Sequence, residues 1–294
     1  MVRLVSVVAL AVLATACDPQ AGGSSAATPT PGTTATPPPA PAAPPTPSDV
    51  ASSDTGNADG GSATAIATSR VNGALSVKEE TDDYIFEYAY PSAAGSIDAL
   101  GDLLDARMEK TRAELARDSA KARAEARGDG FPYNKHSYEG TWTLVANLPG
   151  FVSLSEQFAT YTGGAHGNYG VESLVWDKQA ARAMRAIDLF TSPAALEQAL
   201  GQRFCTGLDK ERRRKGIERP KDGDGVFPAC PKIDELTVLV GSTDKRHFNR
   251  VTLYAGPYVA GAYAEGDYQV HLDVDRKIRA AVKPAYRDSF RARN

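Results

Sequence analysis

The chain has 294 residues, with 33 lysines and arginines against 36 aspartates and glutamates, so its formal net charge is −3 at pH 7. This balance provides no excess of basic residues for a phosphate backbone and argues against a nucleic acid as partner. The length leaves room for one large domain or for two small, closely packed domains with a buried core.

The first residues of the chain have the pattern of an export signal. Met1-Val2-Arg3 carries a positive charge, and the apolar run Leu4 to Leu13 is too short to span a bilayer. Leu13-Ala14-Thr15-Ala16-Cys17 resembles a bacterial lipobox, although alanine stands at its second position, where leucine is usual. The resemblance implies that residues 1–16 are a signal peptide and that the cysteine receives a lipid. A plain secretory signal with an Ala-x-Ala cleavage site is the alternative.

Export would place the protein in the bacterial cell envelope. A lipid on Cys17 would hold it at the periplasmic face of the inner or the outer membrane, so the membrane is an expected partner. Residues 17–72 are rich in proline, threonine and alanine, and ten of the chain's 19 prolines lie between Pro19 and Pro47. This composition cannot build a core, and it predicts a disordered, extended tether ahead of the folded part.

From about Gly73 onward the patterns predict an α+β fold, with antiparallel sheets and two main helices packed on them. Alternating apolar residues predict strands at Leu75 to Glu80 and at Tyr84 to Tyr90. A long helix is expected next, with Ser96 as its cap and Gly128 as its end. Its apolar face would be formed by Ile97, Leu100, Leu104 and Met108.

The second half of the pattern begins with an antiparallel meander of three strands, joined by a Leu-Pro-Gly turn and a glycine-rich loop. These strands are Tyr138 to Asn147, Phe151 to Tyr161 and Tyr169 to Asp177. A second helix, Ala194 to Lys215, has Ser192 as its cap and Pro193 at its first position. The remaining predicted elements are strands at Glu235 to Val240, Arg250 to Tyr254 and Tyr268 to Val274, and a short helix at Asp275 to Val282.

Two cysteines remain once Cys17 is assigned to the lipid. Cys205 and Cys230 are expected to form a disulfide, because pairing is the default in an oxidising compartment. Closing a loop of about 26 residues would stabilise the fold by about 3 kcal/mol through loss of unfolded-state entropy. The bridge would clip the second helix to the loop after it. The basic run Lys210 to Lys215 on that helix is interpreted as a solvated helix end, with contact to an anionic glycan or lipid headgroup as the alternative.

The most specific stretch of the sequence is the octapeptide Tyr161-Thr162-Gly163-Gly164-Ala165-His166-Gly167-Asn168, between two predicted strands. Three glycines permit positive φ angles and close backbone approach, and His166 interrupts them with an imidazole. The stretch resembles the TGGAHGN signature of a family of paired domains of unknown function. This family includes the extracytoplasmic domain of the anti-sigma factor RsiV and the domain that precedes the catalytic domain of the peptidoglycan deacetylase PdaC.

Two later segments extend this resemblance over about Leu75 to Val274. Asp188-Leu189-Phe190 is similar to the family's turn before a helix, and Tyr254-Ala255-Gly256-Pro257-Tyr258 is similar to its Gly-Pro segment before the last strand. We therefore expect residues 73–180 to be a helix-bearing part that ends in the glycine-rich hairpin, and residues 181–294 to be an RsiV-like α+β part. The binding residues that the resemblance implies are Tyr161, Thr162, Gly163, Gly164, His166, Asn168, Tyr254, Pro257 and Tyr258.

The resemblance implies a non-catalytic binding or sensing module, because family members bind lysozyme or accompany a separate catalytic domain. The expected ligand is related to peptidoglycan or is a lysozyme-like protein, and no cofactor is expected. A purely structural loop, in which His166 and Asn168 bond the loop's own backbone, explains the same residues.

An envelope hydrolase with His166 as general acid or base is the alternative function. It requires a carboxylate, a nucleophile or a metal beside the imidazole. The nearest carboxylates in sequence are Glu156, Glu172 and Asp177. The other histidines are His136, His247 and His271, and their spacing is not that of metal ligands, so no metal site is predicted.

Overall fold

The computed structural model describes residues 65–218, 227 and 230–293 of the chain. The predicted signal peptide, the lipid site Cys17 and the tether up to residue 64 lie outside these residues. Within them, no helix is both long enough and apolar enough to cross a bilayer.

The larger of two sheets has seven strands that neighbour one another in sequence order. They are β1 (Ala65–Val71), β2 (Ala74–Glu80), β3 (Tyr84–Tyr90), β4 (His136–Asn147), β5 (Phe151–Tyr161), β6 (Asn168–Asp177) and β7 (Arg182–Met184). The predicted meander is confirmed as β4, β5 and β6. Only β3 and β4 are parallel among the described strand pairs, because a long helix connects them and returns the chain in the same direction.

This connection consists of a single turn, α1 (Ser92–Gly95), and the long helix α2 (Asp98–Asp129). The predicted apolar face is confirmed, since Leu100 and Leu104 are fully buried against the sheet. The predicted cap Ser96 is wrong, because Ile97 holds the capping position of α2. Ser96 follows the end of α1, and its hydroxyl donates to the carbonyl of Ser92, the first residue of α1. The helix ends at Gly130 rather than Gly128, because Gly130 has the positive φ that terminates a helix.

The smaller sheet has the order β10-β9-β8 and is antiparallel. Its strands are β8 (Thr237–Gly241), β9 (Arg250–Ala255) and β10 (Tyr268–Asp273). Three helices accompany it: α3 (Pro193–Leu200), α4 (Gln202–Arg214) and α5 (Arg276–Ala281). The Thr237 hydroxyl donates to the Val171 carbonyl at 2.8 Å and joins the smaller sheet to β6.

The second predicted helix is two helices in the structure. Its start is confirmed, because the Ser192 hydroxyl accepts from the Ala195 N–H and Pro193 occupies the first turn. Gly201 then interrupts it between α3 and α4 with a φ of 53°, a conformation that favours glycine. The direction change lets α3 pack on α5 while α4 packs on β10.

Two hydrophobic cores lie on opposite faces of the larger sheet. Leu154 and Leu174 face α2, whereas Phe151 and Val175, at alternate positions, face the smaller sheet and its helices. The described residues belong to one compact unit. The expected boundary between residues 180 and 181 falls in the turn between β6 and β7, which pair in one sheet.

The α+β class and the Cys205–Cys230 disulfide are confirmed. One correction concerns the tether. The sheet already begins at Ala65, inside the predicted linker, because the residues before the Asn72-Gly73 turn pair with β2 in an antiparallel hairpin.

Candidate binding site

The glycine loop, residues 161–168, joins β5 to β6 and is shaped by its three glycines. Gly163 and Gly164 have φ angles of 92° and 88°, which only glycine adopts without strain. A side chain at Gly167 would lie 2.5 Å from the Thr160 carbonyl oxygen. The loop therefore folds tightly and leaves the His166 side chain exposed to solvent.

The imidazole of His166 contacts both its own loop and a distant segment. Its Nδ1 lies 2.8 Å from the Gly167 carbonyl oxygen, so this nitrogen carries the proton and donates. Its Nε2 lies 3.5 Å from the hydroxyl of Tyr258. The ring stacks on Tyr263, with 3.9 Å between centroids, and the Tyr263 hydroxyl donates to Gly167 O at 2.9 Å.

The distant partner is the Gly-Pro segment, residues 254–263, which follows β9. Tyr258 within it has a φ of 66° and a side chain that is 53% exposed. A tyrosine in the left-handed region is strained, and strain of this kind is concentrated at functional positions. Tyr258 lies 5.7 Å from Tyr263 between ring centroids, and Tyr169 meets Tyr263 edge-on at 6.0 Å. We call His166, Tyr169, Tyr258 and Tyr263 the aromatic patch.

Two basic residues at the end of α4 bond the Gly-Pro segment and the turn that follows it. Arg212 is only 2% exposed, and its Nη2 donates to the Ala260 carbonyl at 2.8 Å. The Lys215 ammonium donates to the carbonyls of Glu265 and Asp267. The interpretation of this basic run as a solvated helix end is therefore wrong for Arg212, whereas Arg213, Arg214 and Lys215 are exposed.

An open groove of about 480 Å³ lies between the larger sheet and the strands β9 and β10. Its polar lining consists of Glu139, Thr141, Gln157, Tyr169, Tyr254, Asp267 and Gln269. Tyr254 is 4% exposed, and burial, followed by the nearby charge of Asp267, raises the pKa of its hydroxyl. Because Tyr169 belongs to both, the groove and the aromatic patch form one continuous surface.

The structure distributes the predicted site residues over the aromatic patch, the groove, the glycine loop and the turn before Tyr258. His166 and Tyr258 meet at the aromatic patch, and Tyr254 lies in the groove. Tyr161 remains within its own loop, where its hydroxyl donates to Gly164 O at 3.1 Å. Thr162, Gly163, Gly164 and Asn168 shape the loop, and Pro257 precedes Tyr258 in the turn.

Sequence reasoning predicted Tyr254 but missed the polar residues on the walls of the groove. Glu139, Gln157 and Gln269 are exposed polar residues at alternate strand positions, a pattern that also describes an ordinary solvated sheet face. Their only signal is tertiary, because the second wall of the groove comes from a strand about 100 residues further along the chain.

The carboxylates proposed to assist His166 have other partners. Glu156 faces α2, where its carboxylate accepts from the Tyr138 hydroxyl at 2.9 Å. Glu172 lies 3.9 Å from Arg107, and Asp177 accepts from two backbone N–H groups of the turn after β6. In the described ranges no hydrogen bond joins His166 to a carboxylate, and no group of three or more metal-ligating side chains is assembled.

Glu156 is the most strongly perturbed carboxyl in this region. It is 5% exposed, and burial raises its pKa from 4.5 to about 7, while the hydrogen bond from Tyr138 acts in the opposite direction. The carboxyl therefore changes charge near neutral pH inside the α2 side of the sheet, away from the aromatic patch.

Residues 77–169 match the family model of the deacetylase PdaC. The match begins in β2 and ends in β6, so it contains the glycine loop and stops before the Gly-Pro segment. The PdaC part of the expected resemblance is confirmed over this range, and the RsiV part remains a prediction. Among curated proteins, none matches the chain at a significant level.

Solved structures of the DUF3298 family also resemble the chain. One, from Bacteroides fragilis NCTC 9343, has a TM-score of 0.42 and 13% identity, and the alignment covers 72% of this chain and 91% of that one. Another, from Pseudomonas aeruginosa PAO1, has a TM-score of 0.39 and 15% identity, with coverage of 80% and 99%. At these scores neither structure adds to the argument about the site.

Proposed function

We propose that this chain is a lipid-anchored, non-catalytic binding module of the bacterial cell envelope. Its ligand is related to peptidoglycan or is a lysozyme-like protein. The observation that carries the proposal is the contact between the glycine loop and the Gly-Pro segment, in which His166 stacks on Tyr263 beneath the exposed Tyr258. Exposed aromatic side chains on a rigid support are the usual anchors of binding surfaces.

The surroundings of His166 favour binding over catalysis. A general base needs a partner that orients it and a free nitrogen that reaches the substrate. Here Nδ1 is oriented by a backbone carbonyl, and Nε2 faces the Tyr258 hydroxyl. The imidazole thus supports Tyr258, and the carboxylates suggested as its assistants lie elsewhere.

The export signal and the lipobox support the location, and the match to PdaC over residues 77–169 supports a role near the cell wall. The proline-rich tether would give the folded part reach of up to about 3 Å per residue from the membrane.

The test is retention of the full chain, purified in detergent, on insoluble peptidoglycan and on immobilised lysozyme. We expect retention by one of the two and at least a tenfold loss in Tyr258→Ala, because truncating an aromatic anchor removes its whole contact area. Phe131→Ala is the matched control, since Phe131 is also an exposed aromatic residue but lies in the turn after α2. Retention by neither support, or equal loss in both variants, would reject the proposal.

A further inference from the structure

The groove beside the aromatic patch carries two carboxylates and two carboxamides on facing walls. Glu139 and Gln157 belong to the larger sheet, whereas Asp267 and Gln269 belong to the smaller sheet and the turn before it. The Gln269 amide donates to Asp267 at 3.2 Å, which engages one carboxylate oxygen and leaves the other without a hydrogen bond to this amide. The walls therefore offer both hydrogen-bond acceptors and donors at a spacing set by the two sheets.

Tyr254 supplies the most deeply placed polar group of the groove. Its side chain is 4% exposed, and in the described part of the chain no protein group forms a hydrogen bond with its hydroxyl. The hydroxyl borders the open groove, where it can donate to or accept from a ligand. Tyr254 lines the groove together with Tyr169 and Asp267.

The width of the groove is held by contacts that do not depend on a ligand. Thr237 on β8 bonds the Val171 carbonyl and ties the sheets together below the groove. Lys215 bonds the carbonyls of Glu265 and Asp267 and fixes the turn that carries the Asp267 wall. A preformed cleft of this size, about 480 Å³, is in the range of sites for small ligands.

Resting on the proposed binding function, we infer that this groove binds a glycan segment that carries hydroxyl and acetamido groups and no negative charge. Sugar hydroxyls donate to Glu139 and Asp267 and accept from Tyr254, and the carboxamides of Gln157 and Gln269 match an acetamido group. The Tyr169 ring offers an apolar face for the sugar ring. The two carboxylates repel an anionic ligand.

An extended peptide fits the groove less well than a glycan. Peptides bind sheets by adding a strand to an edge, where unpaired backbone groups are available. Both walls here are formed largely by the faces of paired strands, β4 to β6 on one side and β9 with β10 on the other, and they present side chains.

The experiment is calorimetric titration of the full chain with the trimer of N-acetylglucosamine and, separately, with trigalacturonic acid as an anionic trimer. We expect saturable binding of the first and none of the second. Tyr254→Phe removes one hydroxyl and is expected to weaken binding about three- to tenfold, the range of a single neutral hydrogen bond. Gln157→Ala is a second variant, and its exposed position makes it safe for folding. Tyr286→Phe is the control, because Tyr286 lies outside the groove and bonds Arg182.

The outcomes separate this inference from the proposed function. Unchanged affinity in both Tyr254→Phe and Gln157→Ala, or stronger binding of the anionic trimer, overturns the inference. If the neutral trimer does not bind while Tyr258→Ala still abolishes retention on peptidoglycan or lysozyme, the glycan groove is rejected and the binding module stands. If the neutral trimer does not bind and the chain is retained neither on peptidoglycan nor on lysozyme, the glycan groove and the binding module are both rejected.

Discussion

The imidazole of His166 and the phenol ring of Tyr263 are stacked, with 3.9 Å between their centroids and 22° between their planes. They come from two segments that are far apart in sequence and join through Gly167, whose carbonyl accepts from both side chains. This stacked pair joins the glycine loop and the Gly-Pro segment into one continuous surface.

The stack should be measurable as an energetic coupling between His166 and Tyr263. In a double-mutant cycle of His166→Ala and Tyr263→Ala, we expect a coupling of about 1 kcal/mol in the free energy of unfolding, since aromatic pairs contribute this much beyond their buried area. Urea denaturation measures it. In a control cycle, His247→Ala replaces His166→Ala and is combined with Tyr263→Ala. The two effects on the free energy of unfolding should be additive, because His247 lies in the loop after β8 and bonds Asp244. Additive behaviour in the first cycle would contradict the stacking role.

Arg212 should stabilise the Gly-Pro segment, whereas its neighbour Arg213 should not. Arg212→Ala leaves the Ala260 carbonyl without its charged donor and is expected to lower the free energy of unfolding by about 2 kcal/mol. It should also weaken ligand retention. Arg212→Lys keeps the positive charge but lacks the planar guanidinium group. It should therefore lose less stability and less ligand retention than Arg212→Ala, without reaching the wild-type values. Arg213→Ala, at an exposed position on the same helix, is the control, and equal effects of the two alanine variants would refute the role.

The Cys205–Cys230 disulfide is expected to contribute about 3 kcal/mol to stability, because it restricts a long loop of the unfolded chain. The double variant Cys205→Ser, Cys230→Ser should show this loss in urea denaturation. A reducing agent should destabilise the wild type to the same extent and leave the double variant unchanged. A reducing agent that has no effect on the wild type would show that the bridge contributes nothing.

Glu156 makes stability depend on pH. Its pKa is raised in the folded protein to about 7, so the folded state holds a proton that the unfolded state has released above pH 4.5. The stabilisation is fully present below about pH 4.5 and is lost as the pH rises through about 7, for a total of about 3 kcal/mol. The free energy of unfolding of Glu156→Gln should therefore be close to that of the wild type at pH 5. At pH 8 the variant should be the more stable of the two. Glu139→Gln, an exposed carboxylate on the opposite face, is the control. Parallel curves of unfolding free energy against pH for wild type and Glu156→Gln would contradict the assignment.

Cys17 is predicted to attach the protein to the membrane. Cys17→Ser should move the protein from the membrane fraction to the soluble fraction of its bacterial host, since a serine cannot receive the thioether-linked lipid. Fractionation followed by immunoblotting measures the change. Cys205→Ser is the control for the loss of a cysteine elsewhere and should leave the protein in the membrane fraction. An unaltered distribution in Cys17→Ser would favour the plain secretory signal.

Local patterns predicted most secondary structure. Alternation at Tyr84 to Tyr90 and the Ser192-Pro193 start of α3 depend on residues close in sequence, and both are observed. The errors occurred where two local signals competed. Ser96 is a good capping residue, yet the single turn of α1 uses it, and Gly201 interrupts a helix that otherwise reads as continuous.

By itself, the sequence determined the α+β class, the glycine loop and the pairing of two cysteines, because these follow from periodicity, from glycine's freedom at positive φ and from the redox state of the expected compartment. Only the tertiary structure decided that His166 meets Tyr263, that Arg212 is buried and that Tyr254 faces a groove. These contacts join segments far apart in the chain. Their formation depends on how the two sheets pack, and no local pattern of residues carries that information.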